Sequence, residues 1–360
     1  MAGSVFGTVF RLSTWGESHG AAVGCVVDGC PPGVPITPQY IQADMDRRRP
    51  GSTPGSTPRK EADQVEILSG IFEGVTTGTP ISMLVHNEDQ RSKDYNEMKD
   101  LYRPSHADFT YRQKYGVYDY RGGGRASYRE AVGRVAGGAV ARRLLEERCQ
   151  TEIVGYVLQV GNVRGEVDTA AVTRATVDAS EVRCPDLQAT EQMKAAIQEV
   201  AKAGDSIGGV VEVVARGVLA GLGEPVFDKL TADFAKALMS IPAARAFEVG
   251  SGFSSVFMRG SQHNDPFVMK AGRVGTSSNN SGGIQGGISN GENIVLRVAF
   301  KPVATIAQEQ TTISTAGEQV SFRGRGRHDK SVLPRAVASV EAMVALVLAD
   351  HLLRQNAYGE

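Results

Sequence analysis

The order of its strand-like and helix-like segments is the feature that most constrains the fold of this chain. Apolar residues recur at helical spacing after Glu130 and again from Val337 to Leu348. Residues 208–216 and 292–300 instead alternate or are rich in β-branched residues, as strands are. Because these segments follow one another without a regular strand-helix alternation, the pattern favours an α+β fold over a doubly wound parallel sheet.

The chain is predicted to form one domain over residues 1–360. No linker-like segment divides it, and no sequence period indicates a repeat architecture. The hydrophobic content of 41% is enough for a sizeable core. The 42 glycines imply many loops in which the backbone comes close to a ligand or a neighbouring element.

Residues 5–11 and 22–28 are bounded by glycines and rich in valine and other strand formers, which predicts two strands flanking a loop that contains His19. Thr37 before a proline predicts the start of a helix that ends by Pro50.

Two further segments are predicted from local patterns. Apolar residues from Phe227 to Leu238 recur at helical spacing. Residues 51–58 consist of glycine, serine, threonine and proline, which indicates a mobile loop, either a solvated connector or a lid that closes over a ligand.

Positive charge is local in this sequence. The formal net charge is −1, from 39 Lys+Arg and 40 Asp+Glu, which argues against a partner such as nucleic acid or an anionic membrane. Arginine clusters suit a small polyanion, because each guanidinium can donate two parallel hydrogen bonds to a carboxylate or phosphate. The clusters are Arg47, Arg48, Arg49, Arg59 and Lys60; Arg121, Arg125, Arg129 and Arg134; and Arg323, Arg325 and Arg327.

Cysteine usage and hydropathy predict a cytoplasmic protein. The four cysteines form neither a C-x-x-C pair nor a disulfide-dense pattern, and no metal site is indicated. We expect no membrane-spanning segment, because no stretch approaches about 18 apolar residues, and the first residues do not resemble a secretory signal.

Three short tracts place half of the six histidines beside glycine, serine, arginine and aspartate. They are Gly16-Glu17-Ser18-His19-Gly20, Arg103-Pro104-Ser105-His106-Ala107-Asp108 and Gly326-Arg327-His328-Asp329. Because histidine ionises near neutrality, a site that joined these tracts could transfer protons and bind an anion. The residues alone leave a shared site and separate surface histidines as alternatives.

Two glycine-rich loops are further candidates for binding. Residues 121–127 precede the helix that starts near Glu130, so their N–H groups could receive an anion or simply cap the helix. Residues 279–287 lead into a strand that ends at Lys301, whose charge could face either a cofactor or water.

Taken together, these sequence motifs resemble those of the chorismate synthase family, and the resemblance extends from residue 3 to the closing helix. The match also includes Arg47-Arg48-Arg49-Pro50-Gly51, Asp89-Gln90-Arg91-Ser92, Asp119-Tyr120-Arg121-Gly122-Gly123-Gly124-Arg125, Gly204-Asp205-Ser206-Ile207-Gly208 and Gly221-Leu222-Gly223-Glu224-Pro225-Val226-Phe227-Asp228. The resemblance implies a β-α-β sandwich, in which helices pack between two antiparallel sheets, and a homotetramer.

The resemblance also implies the last step of the shikimate pathway. In that reaction phosphate and a proton leave 5-enolpyruvylshikimate 3-phosphate by 1,4-anti elimination, giving chorismate. The family requires reduced flavin mononucleotide, although there is no net redox change. NADPH is then the ultimate reductant, and an external flavin reductase is an expected partner.

Residue roles carried over from the family fall on matching positions of this sequence. His19 is then a general acid at the leaving phosphate, His106 stabilises the anionic flavin, and Asp329 is a base near flavin N5. Flavin contacts fall on Arg125, Ala126, Ser127, Pro242, Ala243, Gly286, Lys301, Pro302, Val303, Ala304, Thr305 and Arg327. Substrate contacts fall on Ser18, Arg48, Arg49 and Arg134.

Three positions depart from the pattern that the resemblance implies. Tyr128 stands where alanine is usual, which changes the local packing. Pro54 stands where bacterial relatives often have arginine, which removes a charged contact. Lys330 replaces a proline after Arg327-His328-Asp329 and is expected to loosen the loop that holds Asp329.

Two other functions are weighed against this one. Arginines, histidines and glycine loops also serve phosphate-ester hydrolysis and phosphoryl transfer, but the chain lacks a nucleophile motif and a carboxylate metal cluster. Nucleic-acid binding is disfavoured by the near-zero net charge and by the absence of basic residues interleaved with aromatic ones.

Overall fold

The computed structural model describes residues 3–49, 51, 56, 61–88, 98–324 and 328–359. Within them the helices are α1 Pro38–Arg48, α2 Asp108–Tyr115, α3 Ala131–Cys149, α4 Arg174–Asp178, α5 Leu187–Lys202, α6 Leu230–Met239, α7 Gly260–His263 and α8 Leu333–Gln355. The strands are β1 Val5–Phe6, β2 Arg11–Gly16, β3 Ala22–Asp28, β4 Glu66–Ile67, β5 Ile71–Phe72, β6 Val75–Thr76, β7 Ile81–His86, β8 Glu152–Val160, β9 Val163–Arg164, β10 Gly209–Arg216, β11 Ala244–Val249, β12 Phe267–Lys270, β13 Arg273–Thr276, β14 Ile284–Gln285, β15 Ile288–Ser289, β16 Ile294–Phe300, β17 Glu309–Ile313 and β18 Gln319–Arg323.

Two antiparallel sheets form the outer layers. In the described residues, the first sheet has five strands in the order β1-β2-β3-β7-β4, and the second has five in the order β11-β16-β10-β8-β9. Helix α3 packs on β2, β3 and β7 of the first sheet, while α8 packs on β8 and β10 of the second. The two helices also pack on each other, so the α+β sandwich that the resemblance implied is confirmed.

Glycines bring α3 close to its neighbours on two sides. A Cβ atom added at Gly137 would lie 2.4 Å from Leu12 Cδ1, and one at Gly138 would lie 2.4 Å from Ala342 Cβ. A larger side chain at either position would therefore push α3 away from β2 or from α8. Gly137 and Gly138 therefore allow the backbone of α3 to pack closely against both neighbours.

Helix α8 lies in the middle of the core. Among the described residues, Leu333–Tyr358 is long and apolar enough to cross a membrane, contrary to the expectation that no stretch would be. However, 94% of its most apolar stretch is buried inside the fold. The composition of this segment is that of a core helix covered by α3 on one side and by the second sheet on the other.

Several local predictions are confirmed and two are wrong in their bounds. Helix α1 starts as predicted, with Thr37 Oγ1 accepting the N–H of Tyr40 at 3.2 Å. Helix α6 begins at Leu230, whereas Phe227 precedes it and is 89% exposed. The predicted strand 5–11 is interrupted, because residues 8–10 bend to donate three N–H groups to Asp350 Oδ1. Of the predicted loop at 51–58, only residues 51 and 56 lie among the described residues.

Candidate active site

Two consecutive glycines bring two of the predicted histidines to one turn. A Cβ atom added at Gly122 would lie 2.3 Å from Nδ1 and Cε1 of His19. One added at Gly123 would lie 3.0 Å from Cε1 of His106. Both glycines have positive φ angles, of 63° and 93°. The turn can therefore contact both imidazoles only because neither residue has a side chain.

His19 lies in the loop between β2 and β3, as the sequence predicted. Its Nδ1 lies 2.7 Å from Ser18 Oγ, and the two residues are 8% and 1% exposed. Asn87 holds the loop by donating to the carbonyl oxygens of Glu17 and Gly20 at 3.0 and 2.8 Å. The hydroxyl of Ser18 thus fixes the orientation of a buried imidazole, which is the arrangement expected of a proton-transfer group.

His106 is oriented by the charged residues of its own tract. Its Nδ1–H donates to Asp108 Oδ1 at 2.8 Å, and Arg103 donates to the same carboxylate at 2.6 and 2.8 Å. Arg103 also donates to the hydroxyl of Tyr118 at 3.1 Å. The Arg103-Asp108 pair therefore fixes the ring of His106 and aims the ring edge at the glycine turn.

The electrostatic surroundings favour the neutral form of His106. Burial lowers the pKa of its imidazole, the hydrogen bond to Asp108 raises it, and the charges of Arg103 and Lys301 lower it further, so that the net shift is downward. Burial raises the pKa of Asp108, but hydrogen bonds from Arg103 and His106 outweigh burial and hold it far below its usual range. An anion bound beside His106 would restore the charged imidazolium.

The third tract reaches the site through Asp329. This residue lies just before α8, and its Oδ2 accepts from Arg335 Nη1 at 2.7 Å. The Arg335 Nε donates to the carbonyl oxygen of Arg48 at 3.2 Å, so Asp329 lies near a predicted substrate residue. The loop that carries Asp329 is anchored by the carbonyl oxygen of Lys330, which accepts from the N–H of Ile207 at 2.9 Å.

The three consecutive arginines at the end of α1 have different surroundings. The Arg48 side chain is 1% exposed and donates to Asp63 Oδ2 at 2.6 Å, and burial lowers its pKa to about 10. The Arg49 side chain is 41% exposed and Arg47 lies in a separate buried network. Arg49 is therefore the one of the three that points outward.

Asp63 joins Arg48 to the loop of His19. Its carboxylate also accepts from Arg129, whose Nε donates to Asn87 Oδ1 at 2.8 Å. Because Asn87 in turn holds the loop that carries His19, the buried cluster supports that histidine from behind.

A cavity of about 530 Å³ is lined in part by the residues that follow the glycine turn in the chain. Its walls include Arg125, Ala126 and Pro242, all predicted flavin contacts, together with Arg134. Arg125 donates to the Thr14 carbonyl oxygen at 2.7 Å, and its buried Nη1 has no hydrogen-bond partner among the described residues. Arg134 is held by Glu130 at 2.9 Å and by Ser240 Oγ at 2.6 Å.

The predicted flavin segments 242–243 and 301–305 meet each other. The N–H of Lys301 donates to the carbonyl oxygen of Ala243 at 3.0 Å. The charge of Lys301 lowers the pKa of His106, which puts this strand end within electrostatic reach of the glycine turn. Val303 is held by Ser206, whose Oγ donates to its carbonyl oxygen at 2.8 Å.

Gly286 lies in a short hairpin near the start of α6. It forms the tip of the β14-β15 hairpin, and the next residue accepts the N–H of Leu230 at 2.9 Å. Pro242 follows the opposite end of α6, one helix length or about 15 Å away. Arg327 and Pro54 lie outside the described residues.

Sequence reasoning assigned no role to several residues that shape this site. Arg103 and Asp108 belong to the same tract as His106, so their spacing was a usable signal. Gly122 and Gly123 belong to the loop for which the sequence predicts either anion binding or helix capping. Asp63 and Arg335 carry no local signal, because their partners are distant in sequence.

Comparisons with known proteins agree with the geometry. The family model described as chorismate synthase matches residues 10–353. A chorismate synthase of Synechococcus sp. (strain JA-2-3B'a(2-13)) is 59% identical over 355 residues, covering 99% of this chain and 94% of that protein. The enzyme of Synechococcus elongatus is 59% identical over 356 residues, covering 99% and 98%. A crystal structure of chorismate synthase has a TM-score of 0.74 and 31% identity, covering 97% and 93% of the two chains.

Proposed function

The chain belongs to the chorismate synthase family and is a chorismate synthase of the shikimate pathway, and from that premise we propose that it is a carbon-oxygen lyase that acts on a phosphate ester. Its substrate is 5-enolpyruvylshikimate 3-phosphate. Phosphate leaves one carbon and a proton leaves another by 1,4-anti elimination. The product is chorismate, and there is no net redox change.

The observation that supports this reaction most directly is the meeting of His19 and His106 at the Gly122-Gly123 turn. An elimination that separates a proton from a phosphate needs one group that stabilises the leaving phosphate and another region that receives the proton. The two imidazoles contact one turn but are held by different partners. One can therefore act where phosphate leaves and the other where the proton is taken up.

We assign the general-acid role at the leaving phosphate to His19. The bond between its Nδ1 and Ser18 Oγ orients the ring, so that Nε2 is the atom that would donate to a phosphate oxygen. Proton donation by a placed side chain contributes about 10²–10⁴-fold to a rate. Ser18, Arg48, Arg49 and Arg134 stay the proposed substrate contacts, with the arginines suited to its carboxylates and phosphate.

The residues present fit a flavin mononucleotide. The cavity of about 530 Å³ lies within the range of about 300–1,000 Å³ for small-molecule sites. Its wall holds Arg125, whose buried Nη1 lacks a partner among the described residues, and the aromatic rings of Tyr111 and Tyr115. An unpaired guanidinium nitrogen beside a partly apolar cavity suits a ligand that combines an anionic tail with a planar ring.

The residues that would hold the cofactor are the Arg125–Ser127 turn, Pro242 and Ala243, the segment 301–305, and Gly286 and Arg327. When bound, reduced flavin mononucleotide would lend electron density to the substrate and take up the proton that leaves carbon. His106 would stabilise the negative charge of the cofactor, and Asp329 would serve as a base beside it.

We further propose a cytoplasmic homotetramer supplied with reduced flavin by an external reductase that uses NADPH. The proposal of assembly is supported by exposed aromatic side chains in residues 252–257 and 267–276, of which Phe253, Phe257 and Phe267 are 69%, 87% and 68% exposed. Large exposed apolar side chains are typical of protein interfaces when they are grouped. The four cysteines are free thiols, which suits a reducing compartment.

An anaerobic assay tests the proposed reaction. Purified protein, 5-enolpyruvylshikimate 3-phosphate and chemically reduced flavin mononucleotide are mixed, and chorismate and phosphate are followed against an oxidised-flavin control. We expect equal amounts of both products, with reduced flavin only. Phosphate without chorismate would point instead to a hydrolase, and neither product from folded protein would contradict the proposed activity.

A further inference from the structure

A buried arginine at the start of α8 contacts three parts of the site. Arg335 Nη1 donates to Asp329 Oδ2 at 2.7 Å, and Nε donates to the Arg48 carbonyl oxygen at 3.2 Å. Its guanidinium lies 5.5 Å from the centre of the Tyr128 ring. The Arg335 side chain is only 5% exposed and that of Asp329 is 12% exposed.

This position is unfavourable for a cation on general grounds. The first turn of a helix carries partial positive charge, so a guanidinium there is repelled by the helix itself. It is also close to two other buried arginines, because its charge and that of Arg129 both lower the pKa of Arg48. Helix stability therefore does not explain the presence of an arginine at position 335. Its ion pair with Asp329 is the contact that offsets these costs.

Tyr128 also contacts Arg335. Its ring faces the guanidinium, and its hydroxyl lies 3.0 Å from Ser339 Oγ on α8. Tyr128 directly follows the turn of Arg125, Ala126 and Ser127. It thus connects the proposed flavin segment to the helix whose start carries Asp329.

We propose that Arg335, supported by Tyr128, is a positioning residue that fixes the Asp329 carboxylate relative to the Arg125–Ser127 turn. The inference rests on the proposed function, since it takes Asp329 as the base beside the flavin that would take up the proton from carbon. Arg335 itself acts through Asp329 and not on the substrate. A misplacement of about 1 Å in a reacting group can cost about 10²-fold in rate.

A double-mutant comparison tests this inference. We expect Arg335→Lys, which keeps the charge but loses the fixed fork, to lower kcat by about 10²-fold with little change in KM. We expect Asp329→Asn to lower kcat by about 10²–10⁴-fold. The double variant should be no slower than Asp329→Asn alone, because two residues that act as one unit are not additive. Losses that multiply would overturn the inference, as would an unchanged kcat in Arg335→Lys.

An isotope effect separates positioning from a merely structural role. The substrate is deuterated at the carbon that loses its proton, and kcat is compared with that of unlabelled substrate. A misplaced base slows the proton step, so we expect the isotope effect to rise in Arg335→Lys. A lowered kcat with an unchanged isotope effect would contradict the proposed role.

Two milder variants keep the test valid if Arg335→Lys does not fold. Tyr128→Phe and Ser339→Ala each remove one partner of the same hydroxyl contact and keep Arg335. Each single variant should lower kcat by about the same factor, up to about tenfold. The double variant should lower kcat no further than either single variant does. Full activity in both folded variants would overturn the role of Tyr128.

A matched control and the wild-type assay complete the design. Arg297 also bridges two carboxylates on the second sheet, those of the buried Glu212 and the half-buried Glu248, at 2.8 and 2.9 Å. Arg297→Lys should lower thermal stability without changing kcat or the isotope effect. If wild-type protein makes no chorismate, the proposed function fails. If wild type is active and Arg335→Lys behaves like Arg297→Lys, only the positioning role fails.

Discussion

Arg47 and Arg48 are consecutive residues at the end of α1, yet they belong to two different buried networks. Consecutive residues of a helix point about 100° apart, because the helix has 3.6 residues per turn. The Arg47 side chain is 9% exposed and the Arg48 side chain 1%. Burial and residue type are therefore nearly the same, and the difference between them lies in what each network contacts.

The network of Arg47, here called the inner network, ties helices to the second sheet. Arg47 Nε donates to Asp178 at 2.9 Å and its guanidinium also pairs with Glu341. Glu341 Oε1 accepts the N–H of Gly155 on β8 at 2.8 Å. The inner network consists of Asp44, Arg47, Arg142, Arg174, Asp178, Arg183 and Glu341. Among the described residues, no member of the three histidine tracts contributes to it.

The network of Arg48, here called the site network, touches two of the three histidine tracts. It consists of Arg48, Glu61, Asp63, Arg129, Asp329 and Arg335. Through Asn87 it supports the loop of His19, and it contains Asp329 itself. A buried ion-pair network therefore indicates function only when it includes or directly supports the reacting groups.

The largest expected effect is that of His19→Asn beside the site network. The variant keeps a polar side chain of similar shape but cannot donate a proton near neutrality. We expect kcat to fall by about 10²–10⁴-fold and the free energy of unfolding to change by less than about 1 kcal/mol. Anaerobic turnover and urea unfolding measure the two quantities. A kcat within tenfold of wild type would remove His19 from the proposed mechanism.

The next effect is on stability and concerns the inner network. Arg47→Met leaves the buried Glu341 without one of its cations, and breaking a buried pair costs about 3–5 kcal/mol. We expect a lower urea midpoint with an unchanged m-value, and an unchanged kcat for the protein that stays folded.

Arg48→Met is the matched variant for Arg47→Met. It should lower kcat/KM as well as stability, because it removes a proposed substrate contact and the neighbour of Arg335. If both variants lost activity to the same extent, the distinction between the two networks would be wrong.

Much of the fold followed from local patterns. The cap at Thr37, the apolar spacing of α3 and α8, and the valine-rich strand β3 are all local signals, and each predicted element is present. The layering was implied by the resemblance and not by any pattern. The interruption of strand 5–11 had no local signal, since its cause is Asp350, about 340 residues away.

The candidate site was less predictable than the fold for the same reason. Each histidine tract showed a proton-transfer group, and the tract of His106 even contained its partners Arg103 and Asp108. No pattern indicated that Arg48 would pair with Asp63 while Arg47 would pair with Glu341. That choice depends on the helix rotation and on which carboxylates the tertiary fold brings near.

A smaller effect should appear in the pH dependence of stability. Burial raises the pKa of Asp44 in the inner network, the nearby Arg142 lowers it and Glu341 raises it, with a net value of about 6. The unfolded value is about 3.9, so the folded state binds this proton more tightly.

The sign of the stability change follows from that difference. The stabilising contribution of the Asp44 proton is fully present below about pH 4 and is lost as the pH rises through about 6, by about 1–3 kcal/mol. Asp44→Asn should remove this decline when unfolding is measured in urea from pH 4 to pH 7. Parallel stability curves for the two proteins would contradict the expectation.

The smallest expected effect is on ligand binding at His106, whose pKa is lowered by burial and by the charges of Arg103 and Lys301. Because an anionic flavin would favour the imidazolium, binding should take up a proton, and the affinity should rise as the pH falls through the pKa of the bound state. The gain in affinity is about tenfold for each unit by which the ligand raises that pKa.

Anaerobic titration of reduced flavin mononucleotide across pH 5–8 measures the slope of affinity against pH. Titration of the flavin itself contributes equally to wild type and to His106→Asn, so the difference between their slopes belongs to His106. Equal slopes for wild type and His106→Asn would show that another residue provides the positive charge beside the flavin. Lys301 would then be the next residue to substitute.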